Sequence, residues 1–157
     1  MKQLLVIAFV MLTVVSLAQE NDTTQLKWLT NLEEAEKVSE VENRPILVYF
    51  NGSDWCTPCK ALKKDFFETE EFASRAKGMV LVMIDYPRRM DIISETQKAY
   101  NKTVMEEYNT DKSFPKLVML NFKGKELGVI SGYSSFSTYK DTSHHFAFVD
   151  KYLAKYN

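Results

Sequence analysis

Residues 46–60 read Ile46-Leu47-Val48-Tyr49-Phe50-Asn51-Gly52-Ser53-Asp54-Trp55-Cys56-Thr57-Pro58-Cys59-Lys60. The unbroken apolar run Ile46 to Phe50, rich in β-formers, predicts a strand covered on both faces and hence a central place in a sheet. Asn51-Gly52-Ser53-Asp54 supplies turn residues. Beyond the turn, Ala61, Leu62, Phe66 and Phe67 recur on the apolar side of a helical pattern. The two cysteines of the whole chain therefore sit where a strand hands over to a helix.

Cysteines separated by two residues can close a reversible disulfide within one helical turn, and near a βαβ pattern this spacing points to redox chemistry. The nucleophile in thiol–disulfide exchange is the thiolate, whereas a cysteine with a pKa of about 8.5 is mostly protonated at neutral pH. Cys56, at the first turn of the helix, faces unpaired backbone N–H groups and the positive end of the helix dipole, both of which favour the anion. Cys56 is the expected attacking cysteine. Cys59, one turn deeper on the same face, is the expected resolving cysteine. Pro58 lacks a donor that the first turn would leave unpaired anyway, and it stiffens the loop. Trp55, Thr57 and Pro58 are the expected substrate-contacting surface beside the sulfurs.

Two other uses of the pair stand against this one. A purely structural disulfide across so short a loop would remove little chain entropy from the unfolded state. A zinc site needs four ligands, and the adjacent His144-His145 lacks the spacing that would complete a Cys₂His₂ set. No metal or other cofactor is expected, and the histidine pair reads as a solvated helix face or as packing against its edge.

With 157 residues, 45% of them apolar, the chain has the length and composition of one globular domain that buries its own core. Its 20 basic and 21 acidic side chains are well mixed, which leaves no basic face for a phosphate backbone and makes nucleic acid an unlikely partner. At the N-terminus, Met1-Lys2-Gln3 precedes the apolar block Leu4 to Val15 and then Ser16-Leu17-Ala18, the pattern of a secretory signal peptide over 1–18. The block is well short of the ~20 residues a membrane-crossing helix needs. An uncleaved anchor is the rival reading. Because no cysteine follows the block, a lipid-anchored lipoprotein is excluded. The expectation is a mature chain in the periplasm or secreted, with no stable membrane insertion after cleavage, in a compartment where disulfides persist.

Residues 19–27 are expected to be a flexible N-terminal segment. Leu26, Trp28, Leu29, Leu32, Ala35, Val38 and Val41 then recur at helical spacing, with Thr30 or Asn31 as cap and Trp28 as a core anchor of the helix. Thr69, Phe72, Ala73 and Ala76 suggest a second short helix after the cysteines, closed by Gly78. Met79 to Ile84 predicts a strand parallel to the first. Between Tyr86 and Phe114 a helix is expected from Ile92, Ile93, Thr96, Ala99, Tyr100, Val104 and Tyr108, entered at Pro87-Arg88-Arg89. That arginine pair reads either as a solvated edge or as a contact for an acidic partner. Lys116–Leu120 and Glu126–Ser131, separated by a Gly-containing turn, predict an antiparallel hairpin. Phe136, Tyr139, Phe146, Val149, Tyr152 and Leu153 form a last, interrupted helical stripe.

With the strand, Trp55-Cys56-Thr57-Pro58-Cys59-Lys60, the crossover and a Phe-Pro before the hairpin all in order, the sequence resembles the thioredoxin family over about residues 28–155. Phe50-Asn51-Gly52-Ser53-Asp54-Trp55-Cys56 looks most like secreted bacterial members. The resemblance implies an α/β thioredoxin fold over 28–157, with a central mixed β-sheet flanked by helices. Relative to a minimal member it implies an extra N-terminal helix and a longer connection before a cis-proline, additions that either shape a partner surface or extend the core. The matching proline is Pro115, and Phe114 before it is carried over as a substrate contact.

Two positions depart from the family pattern. The buried aspartate that family members hold beneath the active site is replaced in the region of Tyr49 and Phe50, and its companion lysine by Leu81. Proton handling at Cys59 is therefore the open mechanistic question. The resemblance implies a thiol–disulfide oxidoreductase acting on cysteine-containing envelope proteins. The Thr57-Pro58 dipeptide leans it towards reduction, with a membrane-bound electron donor. An oxidase or isomerase, or a binding module without turnover, are the alternatives.

Overall fold

The computed structural model describes residues 26–134 and 140–156. The expected signal peptide, most of the segment 19–27, and Phe136 and Tyr139 lie outside the described residues.

The elements run β1 (Trp28–Leu29), α1 (Leu32–Glu42), β2 (Ile46–Asn51), α2 (Thr57–Leu62), α3 (Glu70–Ala76), β3 (Val80–Asp85), α4 (Glu95–Tyr108), β4 (Lys116–Leu120), β5 (Glu126–Ser131) and α5 (Ser143–Leu153). The five strands form one mixed sheet in the order β1-β3-β2-β4-β5. β2 is central, as its sequence predicts, and every one of its residues is buried. It runs parallel to β3, with Leu47 opposite Leu81, and antiparallel to β4, with Phe50 opposite Lys116.

The alternation along each strand splits the core into two layers. Leu47, Tyr49, Leu81, Leu117 and Met119 face one side, where they meet Leu62, Phe66, Phe72, Val149 and Tyr152 from the helices that cover it. Ile46, Val48, Phe50, Val82, Ile84 and Val118 face the other, against Leu32 and Ala35 of α1 and Val104 and Met105 of α4. Burial of each such side chain contributes about 1.5–3 kcal/mol relative to exposure. The arrangement is the α/β fold that the resemblance implies.

Three local expectations need correction. Trp28 is not part of a helix: Trp28 and Leu29 pair in parallel with Leu81 and Val82 as an edge strand. The helix starts only after Asn31, whose side chain accepts from the Glu34 backbone N–H at 2.7 Å. Val41, the end of the predicted stripe, is exposed. In the connection after β3, the helix begins at Glu95 behind the Ser94 cap, so Ile92 and Ile93 precede it. Ser94 is a better start signal than the apolar pair because its hydroxyl satisfies the Gln97 N–H. Finally, the histidines part company: His144 is exposed, while His145 is buried with its ring 5.6 Å from those of Phe66 and Tyr133. Among the described residues neither ring nitrogen of His145 has a hydrogen-bond partner.

Candidate functional site

The end of β2 and the end of β3 are fastened together, and that junction carries the cysteines. The Tyr86 backbone N–H donates to the Asn51 carbonyl at 2.8 Å. Ser53 donates through its backbone N–H and its hydroxyl to the two carboxylate oxygens of Asp85, at 2.8 and 2.6 Å. Asn101 of α4 donates to the Asp85 carbonyl. Asp54 accepts from the backbone N–H groups of Arg88 and Arg89. Desolvation opposes ionisation of Asp54, yet the bonds from Arg89 and Arg88 hold its carboxyl below the ordinary carboxylate range.

This frame orients Trp55. Its indole N–H donates to the Tyr86 carbonyl at 2.8 Å. A Cβ built on Gly52 would come within 2.4–2.7 Å of indole atoms, so only glycine leaves room for the ring. The Arg88 guanidinium lies 4.8 Å from the ring centroid on the open side.

Cys56 caps the N-terminus of α2, and Cys56 and Cys59 form a disulfide with their Cα atoms 5.2 Å apart. The Cys59 backbone N–H donates to Cys56 Sγ at 3.2 Å, so an orphan donor of the first turn is aimed at that sulfur. Both cysteines are almost covered, at 2% and 1% exposure, while Thr57 and Pro58 between them are exposed. After Leu62 the helix continues as a π-turn over Lys63–Phe67, and both Phe66 and Phe67 are buried under the site. Tyr49 lies beneath Cys59, its hydroxyl 3.2 Å from the Cys59 carbonyl and 3.3 Å from Asn51 Oδ1. Burial, reinforced by the charge of Asp85, raises the Tyr49 phenol well above its ordinary range, so it stays protonated. Leu81 packs in the same apolar layer.

The Phe114-Pro115 bond is cis. Because Lys116 pairs with Phe50 in antiparallel register, Pro115 falls level with Asn51, the last residue of β2, where the turn that leads to the cysteines begins. The Phe114 ring meets Trp55 edge to face, with centroids 5.2 Å apart. The fold thus brings together Trp55, Cys56, Cys59 and the Phe114-Pro115 pair, residues separated by more than fifty positions. Thr57 and Pro58 form the outer surface of the loop.

Sequence reading alone missed Asp85, the Tyr86 carbonyl and Asn101 as parts of the frame, because each acts through a partner far along the chain. Arg88 is more than a solvated edge: it lies over Trp55. Among the described residues no group of His, Cys, Asp and Glu is arranged to hold a metal ion, and no helix is long and apolar enough to cross a membrane.

The sequence matches the family described as Thioredoxin-like over residues 27–121. It is 30% identical over 103 residues to the disulfide bond reductase DsbH of Chlamydia pneumoniae, covering 65% of this chain and 60% of that protein. It is 26% identical over 140 residues to the thioredoxin-related protein DsbJ of the same organism, covering 86% of this chain and 40% of that one. The chain thus spans less than two thirds of the length of either relative. Among solved structures, a DsbH oxidoreductase superposes with a TM-score of 0.69 at 25% identity, over 83% of this chain and 85% of that one. A thioredoxin from Thermus thermophilus superposes with a TM-score of 0.61 at 16% identity, over 83% and 88%.

Proposed function

Since this chain belongs to the thioredoxin-like family and carries a Cys-x-x-Cys disulfide, we propose that it reduces disulfides of other proteins in the cell envelope. The observation that carries the reading is the seat of Cys56 at a helix N-terminus with the Cys59 N–H directed at its sulfur. Both features stabilise a thiolate there rather than at Cys59.

In the reduced protein the Cys56 thiolate attacks one sulfur of a client disulfide. A bond forms between Cys56 Sγ and that sulfur, the client bond breaks, and the other client sulfur leaves as a thiolate that takes up a proton. Cys59 then loses its proton to solvent and attacks Cys56 Sγ. The Cys56–Cys59 bond forms, the mixed disulfide breaks, and the second client thiol is released. Two electrons and two protons have passed to the client. A dithiol donor must restore the reduced form, and a membrane-bound one fits an exported chain. Export itself rests on the signal-peptide pattern of residues 1–18.

The reductive direction draws on the DsbH likeness and on the proline before Cys59. Insulin reduction with dithiothreitol tests the activity: wild type should accelerate it and Cys56→Ser should not, and equal rates would leave a binding module instead. Thioredoxin lies near −270 mV and the oxidant DsbA near −120 mV. A measured potential above about −160 mV would overturn the direction.

A further inference from the structure

Beside the redox pair, on the far side of the Trp55 ring, a cavity of about 450 Å³ opens between the β3–α4 connection, α4 and the segment before Pro115. Trp55, Tyr86, Met105 and Phe114 give it a mostly apolar lining. A volume in this range accommodates a large side chain with part of its backbone. Two of its walls immediately precede the redox elements in sequence: Trp55 leads into Cys56, and Phe114 into Pro115. Trp55, next to Cys56, and Phe114, next to Pro115, thus form a wall that the cavity shares with the redox elements.

The walls are held in place. The indole is fixed by its bond to the Tyr86 carbonyl and by contact with Phe114, and Met105 of α4 is buried in the core layer. The charges at the rim are unequal. Arg88, Lys102 and Lys112 stand against Glu106, and Lys102 pairs with Glu106 at 3.8 Å. Among the described residues neither Arg88 nor Lys112 forms a salt bridge. The nearby Asp54 carboxylate is occupied by backbone N–H groups. An apolar pocket with Lys112 and the indole-stacked Arg88 at its lip, neither of them in a salt bridge, complements an apolar side chain followed by an acid.

We propose that this cavity is a specificity subsite for client polypeptides, taking an aromatic or large aliphatic side chain a few residues from the target cysteine, with an adjacent Asp or Glu meeting Arg88 and Lys112. The proposal rests on the oxidoreductase reading for its substrate class. A small tripeptide disulfide without a large apolar group would leave the pocket empty, so the site favours protein segments over such carriers.

The test uses three peptides, each closed by one internal disulfide, with Phe-Asp, Ala-Asp or Phe-Lys beside the reactive cysteine. Reduction is followed by chromatography with dithiothreitol as the dithiol source. Wild type should reduce the Phe-Asp peptide with a kcat/KM about tenfold above that of the Ala-Asp peptide, the range a filled apolar pocket supplies. Lys112→Glu should reverse the order of the Phe-Asp and Phe-Lys peptides. In parallel, affinities are measured with the same peptides after replacement of their cysteines by serine, which needs no turnover. Reduction of all three at equal kcat/KM with equal affinities would overturn the subsite and leave the oxidoreductase reading intact. Ranked affinities without any reduction would keep the subsite and overturn the enzyme reading.

Discussion

The Tyr49 hydroxyl lies 3.2 Å from the carbonyl oxygen of Cys59, in the layer where family members hold a carboxylate. It contacts the peptide backbone of the cysteine and not its sulfur. With its phenol raised by burial and by Asp85, Tyr49 is a hydrogen-bond donor at neutral pH and has no capacity to accept the Cys59 proton.

Tyr49→Phe should therefore separate stability from acidity. Loss of the buried bond is expected to cost about 1 kcal/mol in denaturant unfolding of the oxidised protein. The pH midpoint for alkylation of Cys59 in a Cys56→Ser background should stay within about half a unit of the parent. A displacement of more than one unit, equivalent to about 1.4 kcal/mol, would mean that the phenol does govern the thiol.

Gly52→Ala places a methyl group where the indole of Trp55 lies. The ring must swing away, breaking its bond to the Tyr86 carbonyl and opening the wall beside Cys56. Overpacking of this kind costs about 1–3 kcal/mol. Insulin reduction should fall along with the change in tryptophan emission, and normal emission with full activity would show that the ring is not held by this contact.

The Asp54 carboxylate fastens the Arg88–Arg89 backbone to the turn before the cysteines. Its pKa is depressed in the folded protein, so its contribution is present above the unfolded carboxyl value and is lost as pH falls through the folded one. Amide exchange at Arg88 and Arg89 should accelerate about tenfold in Asp54→Ala at neutral pH, a local opening rather than a global one. In wild type the same protection should fade only in acid, below about pH 4. Unchanged exchange in the variant would remove Asp54 from the frame.

His145 makes folding pH-dependent in the opposite part of the range. Desolvation holds its imidazole below the usual value, outweighing the opposing influence of the nearby Gly132 backbone and of Asp141, with His144 adding to the effect. The unfolded chain then binds more protons just below about pH 6.5. Stability attributable to His145 is complete above that pH and declines as pH falls towards the folded value. His145→Phe should flatten the stability profile between about pH 6.5 and 5. A slope identical to wild type would assign the dependence to other groups.

Trapping addresses the resolving step. Cys59→Ser in the intact organism should accumulate mixed disulfides through Cys56, released by reductant, whereas Cys56→Ser should not. No trapped species from either variant would count against the two-step exchange.

Much of this architecture is legible because it is written locally. The run Ile46–Phe50 is apolar at every position, rich in β-formers and bounded by turn residues, the pattern of a strand covered on both faces, and the structure buries each of them. Gly124 marks the loop before β5 by its left-handed backbone, and the polar caps Asn31 and Thr69 mark helix starts by satisfying backbone N–H groups near them in sequence. The two-residue strand at Trp28 was not legible, since so short a segment has no period of its own and its pairing partner Leu81 lies 53 residues away. The burial of His145 escaped for the same reason: its neighbour Phe66 belongs to another element.

By itself the sequence determined that a central strand delivers two cysteines to the start of a helix, because hydrophobic periodicity, turn residues and the Cys-x-x-Cys spacing are properties of adjacent residues. Tertiary structure decided what surrounds that pair. Packing across the sheet put Tyr49 under the Cys59 backbone, and the pairing of β2 with β4 brought Pro115 to the end of β2, where the turn to the cysteines begins. The joined ends of β2 and β3 set Trp55 against Phe114 and opened the cavity beyond them. Those relations depend on contacts between residues far apart in the chain, and only the complete fold specifies them.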